Sequence, residues 1–143
     1  MSEEKHFGSI YDLPLLDTSA SAPGIEKRII YGPKNGWEDY VMRYFKMPPH
    51  TAFAIHSNAA PHMMYTLSGD GVVYVEEEKD KWVPYEMKTG YWTKVPGDLS
   101  HEYKNDSDEP LEFFCIVPTH GDPHAKKFSM RAERAKQKEE KSE

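Results

Sequence analysis

The chain has 143 residues, a length that suits one hydrophobic core, and its 38% apolar and 13% aromatic content is enough to fill one. A formal charge of −6 argues against nucleic acid as the main partner, because phosphate binding needs clustered Lys and Arg, and no apolar run reaches membrane-spanning length. The single cysteine, Cys115, cannot form an internal disulfide, and the acidic segment Met1 to Ile10 does not look like a secretion leader, so a reducing, cytoplasmic setting is expected.

Residues 1–26 scatter Leu and Ile among Ser, Asp, Pro and Gly, which reads as an arm able to lie across a neighbouring barrel or a partner subunit. From Lys27 the pattern changes to short β-branched and aromatic runs, each closed by Gly, Pro, Asn or Asp, the pattern of an all-β barrel or sandwich. Strands are predicted over Lys27 to Tyr31, Tyr40 to Met47, Thr51 to Ser57, His62 to Ser68 and Val72 to Glu77. Four more follow over Trp82 to Met87, Tyr91 to Val95, His101 to Lys104 and Leu111 to Val117. The glycines of Ser68-Gly69-Asp70-Gly71 supply the positive φ of a tight hairpin, and Asp106 to Pro110 marks another turn. After Val117, residues 119–143 read as a tail, with a short surface helix expected over Ala125 to Lys138.

Strand alternation decides which side chains meet, since residues two apart share a face. If His62 faces an interior, Met64 and Thr66 line the same wall while Met63, Tyr65 and Leu67 pack against an outer layer. Wall candidates on other strands are Phe53, Trp92, Tyr103 and Phe114, although an aromatic on a strand is more often plain core, and Tyr103 is the best placed because it shares the face of His101. Cys115 is expected as a small buried hydrophobe, and Glu102 and Lys94 as exposed charges. His50 reads as a loop residue, and His6, His120 and His124 as surface histidines.

The run from Gly90 to Asn105 resembles the second cupin motif: Gly90, Pro96, His101 and Asn105 fill its places, with Gly97 one residue ahead of the usual glycine. Counting back from Gly69 gives a weaker likeness to the first motif, with His56-Ser57-Asn58 at the paired histidines and His62 where the family has glutamate. The resemblance spans Tyr40 to Pro118 and implies a cupin double-stranded β-helix, or jelly-roll barrel, over residues 27–118.

Carried over position by position, it also implies a metal site of His56, His62 and His101, with Asn58 as a possible fourth ligand. Neutral imidazoles suit iron first, with nickel, manganese, zinc or copper as other choices, whereas an amide oxygen is a poor ligand for most of these. Three neutral ligands leave a divalent ion its full charge, which favours an anionic or bidentate oxygen substrate.

The function expected is therefore that of a metal-dependent enzyme on a small, oxygen-rich organic molecule, as in three-histidine dioxygenases of the same superfamily. Tyr103, two residues from His101, would donate a catalytic hydrogen bond, and Phe53, Met64, Thr66 and Trp92 would contact substrate. The alternatives are a non-catalytic barrel that binds a small ligand, a cupin lyase or isomerase, or an assembly subunit with a vestigial pocket. A homodimer is expected, with neither nucleic acid nor membrane as partner.

Overall fold

The computed structural model describes residues 6–20, 22–57 and 59–128. Nine strands fill it: β1 (Glu26–Tyr31), β2 (Tyr40–Met47), β3 (Thr51–His56), β4 (His62–Ser68), β5 (Asp70–Glu78), β6 (Lys81–Lys88), β7 (Trp92–Val95), β8 (His101–Asn105) and β9 (Leu111–Pro118). They form two antiparallel sheets, one in the order β1-β2-β9-β4-β7 and the other β3-β8-β5-β6. Helix is confined, among the described residues, to four single 3₁₀ turns. The helix expected over Ala125 to Lys138 lies mostly outside the described residues, and its described part is the turn Lys126–Phe128.

Alternation sets the layers. On β9 every second residue from Leu111 to Val117 is buried, and on β4 His62, Met64 and Thr66 are buried while Met63 and Tyr65 are about half exposed. The odd residues of β4 therefore face solvent rather than an outer layer of protein. Between the sheets lies a core of Phe45, Met47, Met64, Val73, Val75, Met87, Leu111 and Phe113. Burial of such side chains stabilises by roughly 1.5–3 kcal/mol each relative to exposure.

The arm lies along its own barrel. Ala22 and Ile25 join the core, the Leu16 amide donates to the Lys27 carbonyl, and Tyr11 packs edge-on against Tyr44 while its hydroxyl donates to Glu112.

Two features of the 90–105 segment hold the site in place. A Cβ at Gly97 would collide with the carbonyl oxygen of Ala59, so only glycine lets the β7–β8 turn press against the loop joining β3 to β4. Asp98 occupies the place where the family has its usual glycine, and it takes the left-handed conformation itself (φ 67°), which Asp tolerates better than most residues. Asn105 is fully buried and staples the ends of β2 and β8: its amide donates to the carbonyls of Met47, Pro48 and Glu109, and its oxygen accepts from Ser107.

Candidate functional site

His56 ends β3, His62 begins β4 and His101 begins β8, so three strand termini deliver three imidazoles to one end of the barrel. His56 and His101 are direct partners in the β3–β8 ladder, across a register shift that follows Phe53. Their ring centroids are 4.2 Å apart, His62 stands 5.3 Å from His101 and 6.5 Å from His56, and His62 and His101 are almost fully buried.

Hydrogen bonding fixes what each ring presents. The Nδ1–H of His56 donates to the Ala54 carbonyl (2.9 Å) and that of His101 to the Leu99 carbonyl (3.1 Å), so both turn an Nε2 lone pair toward the interior. His62 differs. Its Nδ1 lies 3.3 Å from Nη2 of Arg43, and a guanidinium only donates, so Nδ1 accepts and the ring proton sits on Nε2. The Cys115 sulfur, 3.7 Å from the same Nδ1, could accept a hydrogen bond from it if the ring proton moved there.

All three rings are held neutral. Burial, followed by the nearby Arg43 charge, lowers His62 to about 3, burial lowers His101 to about 4, and burial also lowers His56. The Nε2 atoms of His62 and His101 are buried with no hydrogen-bond partner among the described residues. Buried polar atoms are nearly always satisfied, so these two point to something that binds between them.

A cavity of about 370 Å³ opens beside the rings, within the size range of small-ligand sites. Lys27, Arg43, Phe53, His56, His62 and Tyr103 line it, together with Phe45 and Phe113. Burial raises the Tyr103 phenol, which therefore stays protonated, with its ring 5.5 Å from that of His101.

A charged cluster forms one side of this wall. Asp122 Oδ2 accepts from Lys27 Nζ at 2.7 Å and from Arg43 Nη1 at 3.0 Å, with all three side chains buried. Burial alone would raise the Asp122 carboxyl, but the two cations hold it down at about 2. Arg43 also donates to the Cys115 sulfur at 2.9 Å, and Lys27 reaches Nδ1 of His124 at 2.7 Å.

Several expectations need correction. Trp92 is 73% exposed: β7 turns Thr93 and Val95 inward, so Trp92 cannot touch a ligand in the barrel. Phe114 faces outward against Tyr44, and its neighbour Phe113 lines the cavity, because β9 buries the odd positions. Met64 packs in the core and Thr66 is fully buried, both on the inner face as expected, yet neither reaches the cavity. Cys115 is buried but bonded to Arg43, and His124 is half-buried between Lys27 and the Asp17 carbonyl rather than a free surface group. Glu102 is partly buried and paired with Lys104. Asn58 lies outside the described residues.

Phe53 and Tyr103 do line the cavity, and His50 is the loop residue expected, paired with Asp108. Sequence reasoning missed Arg43, Lys27 and Asp122. The signal for Arg43 was present: it lies in phase with Val41, Phe45 and Met47, a charge on the apolar face of a strand. Nothing comparable marks Lys27 or Asp122. As for a metal, the Nε2 lone pairs of His56 and His101 suit a divalent ion, with His62 joining only if its ring proton moves to Nδ1, where Cys115 could accept its hydrogen bond. Among the described residues no group of three or more His, Cys, Asp or Glu side chains is already arranged to hold one.

Comparison with known proteins agrees with this architecture. The polyketide cyclase RemF from Streptomyces resistomycificus superposes with a TM-score of 0.68 at 18% identity, covering 82% of this chain and 80% of that one. A cupin-2 domain protein from Rhodospirillum rubrum gives 0.66 at 20% identity, covering 85% and 80%, and a predicted oxalate decarboxylase from Thermotoga maritima gives 0.62 at 16%, covering 77% and 96%. At such identities these likenesses establish the fold alone. No curated protein matches the chain. The family model described as a cupin domain matches residues 43–117, more than half of the sequence and all the strands that carry the three histidines, and the chain therefore belongs to the cupin family.

Proposed function

We propose that this cupin is a metal-dependent enzyme acting on a small, oxygen-rich organic molecule, with oxygenation or oxidative cleavage at a three-histidine iron centre as its reaction class. The observation that carries this reading is the convergence of the His56, His62 and His101 rings at one end of the barrel, beside a cavity that His56 and His62 line, with the Nε2 atoms of His62 and His101 buried and unpartnered among the described residues. A divalent metal bound there would supply open coordination positions and a Lewis-acidic charge for oxygen ligands.

The chain's own residues then have definite roles. The Ala54 and Leu99 carbonyls fix the rings of His56 and His101 through Nδ1. Phe45, Phe53 and Phe113 keep water from the site, and Tyr103, protonated and on the cavity wall, donates a hydrogen bond to a substrate oxygen. Likeness to a polyketide cyclase and a predicted oxalate decarboxylase is compatible with small oxygen-rich substrates. We further propose a homodimer, for which the exposed Tyr65, Tyr91 and Trp92 near the β7 sheet edge speak, and a cytoplasmic setting; sedimentation as a monomer would count against the first.

One observation favours a second reading, a barrel that binds its ligand without metal. Arg43 against Nδ1 of His62 keeps a proton on Nε2, which makes His62 a donor to a ligand atom rather than a ligand to a metal. Elemental analysis after anaerobic reconstitution with Fe(II), Ni(II), Mn(II) or Zn(II) decides between them. The metal reading expects about one equivalent of one ion, lost in His101→Ala, whereas less than about a tenth of an equivalent of every ion leaves the metal-free reading.

A further inference from the structure

The cavity wall carries more positive charge than the protein itself neutralises. Lys27 on β1 and Arg43 on β2 both line it, both are buried, and both spend their ion pairing on one oxygen of Asp122. Asp122 is fully buried and does not line the cavity, and it is the one carboxylate paired with either cation among the described residues. The other groups facing the two cations include His62, which is held neutral, His124, Cys115 and the ring of Phe45, 5.0 Å from the Arg43 guanidinium. Nε of Arg43 is buried without a hydrogen-bond partner among the described residues, although the residue is only 7% exposed. Two buried basic groups against one carboxylate leave the wall short of negative charge; burial and the neighbouring Arg43 already push the Lys27 ammonium below its ordinary range despite Asp122, a cost that a bound anion would relieve.

We propose that Lys27 and Arg43 form an anion subsite that binds the carboxylate of a small organic acid whose apolar or aromatic body lies against Phe45, Phe53 and Phe113. This deepens the reading of the cavity as a site for a small oxygen-rich molecule and does not depend on the metal. A guanidinium and an ammonium side by side match a carboxylate, which accepts charge-assisted hydrogen bonds at both oxygens. Phe45, whose ring centroid is 5.0 Å from the Arg43 guanidinium, and Phe53 and Phe113 give the body of the ligand an apolar wall next to the cations, which favours an acid with an apolar or aromatic body.

The test is calorimetric titration of the full chain, stripped of metal with chelator, using benzoate and its neutral isostere benzamide at constant ionic strength. Benzoate is expected to bind saturably and at least about tenfold more tightly than benzamide. Lys27→Met, which leaves Arg43 and Asp122 as a balanced pair, is expected to stay folded by circular dichroism and to weaken benzoate by about tenfold or more, while Lys27→Arg keeps it within a few-fold. Equal binding of the two probes, no binding of either, or undiminished benzoate binding by Lys27→Met would overturn the proposal. So would thiolate absorbance from Cys115 at neutral pH in the free protein, because the sulfur would then supply the missing charge. Metal-free conditions keep the two ideas separate: a failure here leaves the metal site standing, and an absence of metal binding leaves this subsite standing.

Discussion

A single contact, Arg43 to His62, divides the two ways this pocket can work, because a guanidinium that can only donate dictates where the imidazole keeps its proton. The same arginine depends on Asp122. Replacing Asp122 by Asn strands two buried cations without a counter-charge, and a loss of about 3 to 5 kcal/mol is expected, read as the shift in urea midpoint at constant slope. Little of this cluster was legible in the sequence. Residues 27, 43 and 122 lie far apart in the chain, charged side chains on strands usually face water, and only the phase of Arg43 with Val41, Phe45 and Met47 pointed inward. The histidines were legible because the motif spacings name them one by one.

At the scale of strands and turns, the nine predicted runs match the nine observed strands closely, since Gly, Pro, Asn and Asp punctuate them and alternation fills them. Facing was harder. Parity cannot be carried through a turn, so the facing of Trp92 on β7 could not be fixed from the other strands, while Phe114 could not share the inner face with its neighbour Cys115, since β9 alternates without interruption. The motif residues without imidazoles turn out to be structural. Gly97→Ala forces the β7–β8 turn off Ala59 and is expected to cost about 1–3 kcal/mol while weakening metal or ligand binding at His62, checked by thermal unfolding and titration of one sample. Asn105→Ala removes the amide that bonds three carbonyls, that of Met47 fully buried, and is expected to cost about 1–3 kcal/mol without changing the tautomer or charge of any pocket histidine, checked by the urea midpoint and histidine NMR shifts.

For the whole molecule, the buried histidines set an acid limit. Their ordinary value is 6.5, while His62 and His101 in the folded chain are lowered to about 3 and about 4, so the unfolded chain binds more protons below neutrality. Their neutral state supports the fold fully above pH 6.5, and that support is lost as pH falls from there toward 4. Between pH 8 and pH 5 the metal-free protein is expected to lose about 2 to 4 kcal/mol, seen as a falling urea midpoint. Below pH 3.8 Asp122 adds to the loss, since its carboxylate must protonate against two cations as the pH falls toward 2. A flat profile from 8 to 5 would mean that the rings are not held neutral by burial.

The central claim is that three imidazoles meet at one bound ion, and anomalous diffraction from crystals soaked in Fe(II) or Ni(II) and recorded at the metal edge tests it most directly. The account predicts one peak about 2.1 Å from Nε2 of each of His56, His62 and His101. A map with no peak there, or with a peak that leaves His62 still bonded to Arg43 and out of reach, would contradict it.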